Sequence, residues 1–345
     1  MLVTGASGVV GDAVVESLDG YRIIALGHQS ESAFDVENLK GNVAEEQLGL
    51  SAETYAQLQQ RVDAVVHCAA MSTYATSEAE MRNVNVGGTE RMLDFCAGAQ
   101  APLYHMSTAL DAEVKDDQQS RSQRQAAAGG SPFSREPYLQ SKRDAEVIVR
   151  ASGLPFSILR PSLVIGNSKS GSTPRFQGVH TATRILLDEE YGVLPARPTD
   201  HADYIPRDVI GDAVAVLIDQ QRTPELVWLT VGERAPTVKQ AIDVILEFGR
   251  GVGVHVEEPK YMDPETVDRL IRPALLPELP RRTRQRFEFV IEFSYALGSE
   301  RFFPSSLDDF EGLMAVPSTA DLIEALWSSL RFWHATKNGS QNGGM

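Results

Sequence analysis

The chain opens with the sequence MLVTGASGVVG, which occupies residues 1–11. Its first three residues are apolar, as in a short buried strand, and Gly5, Gly8 and Gly11 follow. This spacing suits a tight turn, a close approach of the backbone to phosphate, and close packing of a helix on a strand. An apolar stripe then predicts a helix over 9–18, formed by Val9, Val10, Ala13, Val14 and Leu18. The first amides of that helix would bind the pyrophosphate of a dinucleotide.

Strands and helices alternate through the first half of the chain. The predicted strands cover residues 1–3, 22–26, 64–67, 103–107, 156–160 and 227–230. The predicted helices cover residues 9–18, 52–61, 78–96, 138–151 and 209–219. Such alternation predicts an α/β fold, a Rossmann-like doubly wound parallel sheet. Ligands of these sheets bind beyond the carboxyl ends of the strands, where Gly8, Ala69, Thr108 and Pro161 fall.

The rest of the chain predicts a smaller, mostly helical lobe that carries the substrate site. We assign residues 1–175 and about 202–235 to the nucleotide-binding domain. The lobe then comprises about 176–201 and 236–337, with helices over 264–276, 281–297 and 319–334, and 338–345 form a flexible tail. A polar stretch over 111–136 predicts a mobile loop that closes over substrate.

A tyrosine and a lysine stand four residues apart in PYLQSKRDAEVIV, residues 137–149. On a helix, Tyr138 and Lys142 lie on one face, and Pro137 suits the first turn. The inward positions of this helix are predicted at Ala145, Val147 and Ile148. A phenol has a pKa near ~10, which a neighbouring ammonium lowers, so the pair is a tuned proton donor to an oxyanion formed by hydride attack on a carbonyl. The hydroxyl of Thr108 would be a second donor to that oxygen. The alternative is a surface helix on which the two side chains never meet.

Six segments, in this order along the chain, resemble the extended short-chain dehydrogenase/reductase family. They are TGASGVVG at 4–11, HCAA at 67–70, NVGGT at 85–89, STA at 107–109, YLQSK at 138–142 and RPSLVIG at 160–166. DYIPRDV at 203–209 resembles a later segment of the same family. The resemblance implies catalytic roles for Thr108, Tyr138 and Lys142. It also implies that a nicotinamide cofactor is bound by Thr4, Gly5, Ser7, Gly8, Val9, Val10, Gly11, Asn42, Val43, Ala69, Ala70, Asn85, Lys142, Pro161 and Leu163.

Finer features resemble the thioester reductases of that family. They are GNV at 41–43, LGLS at 48–51, VDAVVH at 62–67, GLP at 153–155 and GNSKSG at 166–171. This group includes the reductase domains that release acyl chains from carrier proteins, and fatty acyl-CoA reductases. The resemblance implies reduction of a thioester held by an acyl-carrier protein or by coenzyme A to an aldehyde, and in a second step to an alcohol. The alternative is a reductase, epimerase or dehydratase acting on a nucleotide sugar or a small ketone or aldehyde. The sugar branch usually has Val-Tyr-Gly where this chain has Leu110-Asp111-Ala112.

The end of the second strand favours NADPH over NADH. No carboxylate follows residues 22–26 there, so a 2′-phosphate would not be repelled. His28 would bind that phosphate with Lys40 nearby; a solvated loop position is the alternative for His28. The resemblance has two exceptions. The stretch over 24–43 is too short for the usual helix between the second and third strands, and Asn42 stands where the family usually has aspartate.

Composition excludes several functions. The chain has 345 residues, 42% of them apolar, and a formal charge of −15, which argues against nonspecific nucleic-acid binding. Cys68 and Cys96 provide no disulfide framework, and no apolar run approaches the ~20 residues of a membrane span. We therefore expect a cytoplasmic enzyme without a metal site, and the sequence leaves the oligomeric state open.

An arginine cluster stands out in this acidic chain, at Arg281, Arg282, Arg284 and Arg286. It suits docking of an acidic carrier protein or of the phosphates of coenzyme A. A solvated helix face that balances local acids is the favoured alternative. The aromatic residues that follow are predicted to be core, at Phe287, Phe289, Phe293 and Tyr295.

Overall fold

The computed structural model describes residues 1–72, 77–110, 135–188, 193–254 and 257–342. Within these ranges the chain forms thirteen strands: β1 Leu2–Thr4, β2 Ile24–Gly27, β3 Glu37–Lys40, β4 Val65–His67, β5 Leu103–Met106, β6 Phe156–Pro161, β7 Leu163–Ile165, β8 Val193–Pro195, β9 His201–Ala202, β10 Tyr204–Pro206, β11 Leu226–Leu229, β12 Lys260–Met262 and β13 Gly298–Ser299. Seven build the central sheet in the order β3-β2-β1-β4-β5-β6-β11, and all neighbours are parallel. The strand order reverses between β1 and β4, which opens a crevice at the carboxyl edge. The predicted Rossmann-like sheet is confirmed.

Helices cover the sheet and build most of the second lobe. They are α1 Val9–Ser17, α2 Ala52–Gln59, α3 Glu78–Arg82, α4 Gly88–Ala99, α5 Glu136–Ala151, α6 Val179–Asp188, α7 Arg207–Asp219, α8 Val238–Gly251, α9 Pro264–Thr266, α10 Arg272–Leu275, α11 Arg281–Leu297 and α12 Thr319–Asn342. The helix predicted over 78–96 is interrupted by a π turn at Asn83–Gly87, and the one over 264–276 by a π turn at Val267–Ile271. Such widened turns occur frequently at functional sites.

The sequence prediction missed one strand of the central sheet, β3. It lies at the sheet edge, and Glu37, Asn38 and Lys40 are exposed, so it lacks the alternating apolar pattern of a half-buried strand. Residues 28–36, which connect it to β2, contain no helix, as the short spacing predicted. The Arg61 guanidinium pairs with Glu37, which places charge along this open edge.

One hydrophobic core continues through both predicted lobes. It includes Val3 and Val14 beside the sheet, and Ile245, Leu297 and Trp333 in the later helices. Within the second lobe, β8 pairs in parallel with β12, and α8 packs against α12. The lobe is therefore fixed to the sheet by shared apolar packing, and the domain boundaries given above stay a prediction.

A buried ion pair fixes α1 against α7. Arg207 is 4% exposed and pairs with Asp12, which is 6% exposed. The helices approach closely at Gly211, where a Cβ would lie 2.9 Å from the Ala13 carbonyl carbon. Removing one partner of such a pair costs about 3–5 kcal/mol, so this contact holds the start of α1 in place.

Two details of the sequence prediction are corrected. Val147 does not point inward, since it is 65% exposed, whereas Leu139, Ala145 and Val149 are buried at helical spacing. The helix predicted over 319–334 continues to Asn342, and the flexible tail over 338–345 stays a prediction. The predicted loop over 111–136 lies outside the described residues up to 134, and Glu136 begins α5.

Across the described ranges, none of the helices combines the length and apolarity that crossing a membrane requires.

Candidate active site

Two adjoining cavities lie at the carboxyl edge of the sheet. The inner cavity, of about 330 Å³, is lined by the glycine turn and by Thr108, Tyr138 and Lys142. The outer cavity, of about 620 Å³, is lined by residues that include His28 and Val43. Both volumes fall in the ~300–1,000 Å³ range of small-molecule sites. The residues that line both cavities are Gly5, Gly8, Cys68, Ala70, Ser72, Arg175 and Gln177. The two cavities therefore form one continuous groove, which suits an elongated ligand.

The glycine turn leaves backbone where side chains would otherwise stand. Gly5 has φ +69°, and a Cβ on it would lie 2.7 Å from the Ala69 nitrogen. A Cβ on Gly11 would lie 2.6 Å from the Gly5 carbonyl carbon and closer still to its oxygen. Gly8 caps α1 without a side chain, so the first amides of α1 face the groove. These features fit the pyrophosphate of a dinucleotide.

The predicted cofactor residues divide between the two cavities. Val9, Val10, Gly11, Pro161 and Leu163 line the inner cavity, whereas Ser7, His28, Asn42, Val43 and Ala69 line the outer one. The Asn42 amide group donates to the Glu45 carboxylate at 2.8 Å, and its oxygen accepts from the Ala44 amide at 3.0 Å. Lys40 is exposed and is absent from the lining of the outer cavity.

Thr4 and Asn85 do not line the groove but hydrogen-bond to residues that do. The Thr4 hydroxyl lies 2.7 Å from His67 Nδ1 and accepts from the Ala69 amide at 3.1 Å. The Asn85 side chain accepts from the Met71 amide at 2.7 Å and donates to Ser141 Oγ at 2.9 Å. Thr4 and Asn85 are thus buried and committed to protein partners, so direct cofactor contact by either stays a prediction.

The three predicted catalytic residues share the inner cavity. Lys142 is 5% exposed, and its ammonium donates to the Met106 carbonyl at 2.8 Å. Burial lowers the pKa of Lys142 to about 8, although Cys68 and Glu146 act in the opposite direction. Thr108 Oγ1 accepts from the Leu110 amide at 3.2 Å, which leaves its hydroxyl proton to be donated. Tyr138 is half-buried on the same cavity wall.

A buried network behind these residues escaped the sequence prediction. Ser107 Oγ donates to Glu146 at 2.6 Å, and Arg160 Nε donates to the same carboxylate at 2.8 Å. Burial alone would raise the pKa of Glu146, but the hydrogen bonds from Arg160 and Ser107 lower it. The network joins the ends of β5 and β6 to α5 and so positions Thr108 against Lys142. The available signal was the spacing of four between Lys142 and Glu146 on one helix face.

Two buried imidazoles lie near Lys142. Burial and the nearby ammonium lower the pKa of His67 to about 3, and the same causes hold the pKa of His105 well below its ordinary value. Both rings are therefore neutral at physiological pH. Lys142 supplies the positive charge at this end of the inner cavity.

The second lobe closes the inner cavity with α11. Phe289, Glu292, Phe293 and Ala296 line it, and the rings of Phe289 and Phe293 stack with centroids 6.0 Å apart. Both phenylalanines pack partly buried against the hydrophobic core, as predicted, and they also line the cavity, which the sequence did not predict. Helix periodicity shows that a face is apolar but cannot show that a cavity adjoins it. The predicted core position of Phe287 is confirmed, since it is 5% exposed.

This fold and this groove define a nicotinamide-dependent oxidoreductase. The family model described as male sterility protein, an NAD-binding family, matches residues 20–214, more than half of the chain. The chain belongs to that family, in the thioester reductase-like subgroup of the extended short-chain dehydrogenase/reductases.

Both curated proteins and solved structures resemble this chain. L-2-aminoadipate reductase large subunit of Penicillium chrysogenum is 27% identical over 214 residues, which cover 50% of this chain but only 15% of that protein. The terminal R domain from the myxalamid PKS-NRPS pathway gives a TM-score of 0.70 at 21% identity, over 95% of this chain and 89% of that one. UDP-glucose 4-epimerase from Thermotoga maritima gives 0.62 at 18% identity, over 97% of this chain and 98% of that one. At these identities the two structural likenesses show the fold alone.

Proposed function

We propose that the protein reduces an acyl thioester with NADPH and releases an aldehyde. The observation that carries this proposal is the convergence of Thr108, Tyr138 and Lys142 on a cavity that the phenylalanines of α11 close. Polar donors suited to an oxyanion and an apolar wall suited to an acyl chain thus share one space. The thioester reductase-like subgroup of the family supports the same chemistry.

The side chains of the inner cavity would act on the substrate oxygen. When bound, the reduced nicotinamide supplies a hydride to the carbonyl carbon. Tyr138 donates its hydroxyl proton to the oxygen as negative charge develops there, and Thr108 donates a second hydrogen bond. Lys142 retains two N–H donors beyond the one held by Met106, and these are available to the Tyr138 oxygen and to the nicotinamide ribose.

The hydride and the proton together convert the thioester into a hemithioacetal. Its carbon–sulfur bond then breaks, the carbonyl re-forms, and the sulfur leaves as a thiol with the proton from the hydroxyl. An aldehyde and a free thiol result. A second hydride takes the aldehyde to an alcohol only if the oxidised cofactor exchanges before the aldehyde leaves.

The choice of NADPH rests on the residues that follow β2. Gly27, His28, Gln29 and Ser30 line the outer cavity and bring no carboxylate to the position that would bind a 2′-hydroxyl. The carboxylate in this lining, Glu80, comes from α3 instead. A 2′-phosphate beside His28 would therefore meet hydrogen-bond donors, and no carboxylate is supplied by the residues that follow β2.

The first turn of α11 suits the docking of a carrier protein. Arg281 and Arg282 are exposed there, and Phe293 of the same helix lines the inner cavity. Arg282 and Phe293 are separated by about 17 Å along the helix axis, at about 1.5 Å per residue. An extended phosphopantetheine arm has this reach. Arginines that attract an acidic carrier would thus leave its thioester at the cavity.

NADPH oxidation with matched substrates tests the proposal. One acyl group is presented on coenzyme A and on a carrier protein, beside a small ketone and a nucleotide sugar, and the product is identified. We expect aldehyde from both thioesters, with kcat/KM about tenfold or more higher for the carrier form. Turnover of the ketone or sugar without turnover of either thioester would refute thioester reduction.

The docking site has its own control within that assay. Arg281→Glu combined with Arg282→Glu should remove the preference for the carrier form and leave a short pantetheine thioester unaffected. Arg331→Glu, at an exposed position on α12, changes charge away from α11. Equal loss on both substrates, or none, would leave the arginines as a solvated helix face.

The lowered pKa of Lys142 predicts a pH dependence. Since burial lowers this pKa to about 8, the ammonium is present below that pH and is lost above it. We therefore expect kcat/KM for thioester reduction to fall above pH about 8. In Lys142→Arg the fall should move to higher pH, because guanidinium keeps its charge. Thermal melts across the same pH range separate unfolding from loss of the ammonium. If kcat/KM falls at the same pH in Lys142→Arg as in the wild type, the group that titrates is not Lys142.

A further inference from the structure

Arg175 lies where the inner and outer cavities meet. Of the seven residues that line both, it alone carries a formal charge, and Gly5 and Gly8 of the glycine turn are among the other six. Its side chain is exposed, and no described acid forms an ion pair with it. An unneutralised guanidinium therefore shares the middle of the groove with the amides at the start of α1.

The loop that carries Arg175 is held by contacts on both sides. Gly171 has φ +70°, and a Cβ there would lie 2.6 Å from the Ser329 nitrogen of α12. Arg207 Nε donates to the Ser172 carbonyl at 2.9 Å, while the same guanidinium pairs with Asp12 of α1. Thr173 Oγ1 donates to the Arg175 carbonyl at 3.0 Å. Arg207 thus connects this loop to the helix whose N-terminus faces the groove.

We propose that Arg175 binds the pyrophosphate of the nicotinamide cofactor from the side opposite α1. The α1 amides and the guanidinium would then hold the two phosphates between them, and the loop that follows β7 would contribute to cofactor binding. Guanidinium suits this role because its N–H groups match phosphate oxygens in pairs. The inference goes beyond the proposed function, since it concerns the cofactor and holds for any carbonyl substrate.

Three phosphate groups could meet Arg175, and they are separable. The pyrophosphate is common to NADH and NADPH, the 2′-phosphate belongs to NADPH alone, and a pantetheine phosphate belongs to the substrate. Direct binding of NADPH and of NADH to the full chain, followed by cofactor fluorescence or calorimetry, distinguishes the two cofactor phosphates without any turnover. The KM for acyl-coenzyme A then tests the substrate phosphate.

We expect Arg175→Ala to lower the affinity for NADPH and for NADH by the same factor, about 10- to 100-fold, as for loss of a charged hydrogen bond. Arg175→Lys should lose less cofactor affinity than Arg175→Ala, because lysine keeps the positive charge although it lacks the paired N–H groups. The matched control is Arg184→Ala, at an exposed position on α6, which should bind as the wild type does. The affinity of Arg175→Ala should also depend less on salt.

Three other outcomes would each overturn the inference. Loss for NADPH alone would assign Arg175 to the 2′-phosphate. Unchanged cofactor affinity with a raised KM for acyl-coenzyme A would assign it to the substrate phosphate, and no change in any constant would leave it a surface residue. A protein that binds cofactor normally but turns over no thioester would refute the proposed function and leave this inference standing.

Discussion

Replacing Tyr138 with phenylalanine is expected to lower kcat by about two to four orders of magnitude, since a positioned general acid contributes a factor of that size. The change removes one oxygen and leaves a ring of nearly the same shape. Tyr138 is half-buried on the wall of the inner cavity, so the ring should keep its packing. Single-turnover kinetics with saturating NADPH would measure the chemical step directly.

The cofactor and the fold provide the controls for Tyr138→Phe. Affinity for NADPH should stay within about twofold of the wild type, because the groove beyond the inner cavity is unchanged, and the melting temperature should stay close to the wild-type value. Tyr55→Phe is the matched substitution, since Tyr55 of α2 packs edge-on against Phe95 of α4 and lines neither cavity. Near-normal turnover by Tyr138→Phe would remove Tyr138 from the role of proton donor.

The sequence predicts this site well where chemistry and strand ends coincide. The glycine turn follows β1, and Thr108 follows β5, so parallel topology brings them to one edge. Tyr138 and Lys142 join that edge because residues four apart share a helix face. These relations depend on the spacing of residues along the chain and on the handedness of the connections between parallel strands. Both can be inferred from the sequence.

The parts that the sequence could not predict depend on contacts between distant segments. Arg160 and Glu146 meet only because β6 lies beside β5 beneath α5. Phe293 lines the cavity because the second lobe places α11 above it, and an apolar helix face alone is equally consistent with core. Arg175 lies beyond the family-like segment at 166–171, in no motif of its own, and only the folded chain brings it to the glycine turn.

The glycine turn gives the second large expected effect, in the variant Gly11→Ala. The added Cβ would lie 2.6 Å from the Gly5 carbonyl carbon and closer still to its oxygen, and these backbone atoms cannot rotate away. The start of α1 must then move from the turn, which displaces the amides that face the groove. We expect NADPH affinity to fall by about 100-fold or more, and stability to fall by about 1–3 kcal/mol, as for other overpacked sites.

A graded series makes this result interpretable even if Gly11→Ala folds poorly. Gly251→Ala, at the end of α8, adds a Cβ with nothing within 4 Å, and should leave affinity and stability nearly unchanged. Gly8→Ala adds a Cβ that lies 3.2 Å from the Gly5 oxygen, a contact that a small shift can relieve. The stability of this variant should therefore lie between those of Gly11→Ala and Gly251→Ala. Calorimetric melts and NADPH titrations would rank the three variants. If Gly11→Ala bound NADPH as tightly as Gly251→Ala does, close packing of α1 on the turn would not be what holds the amides toward the cofactor.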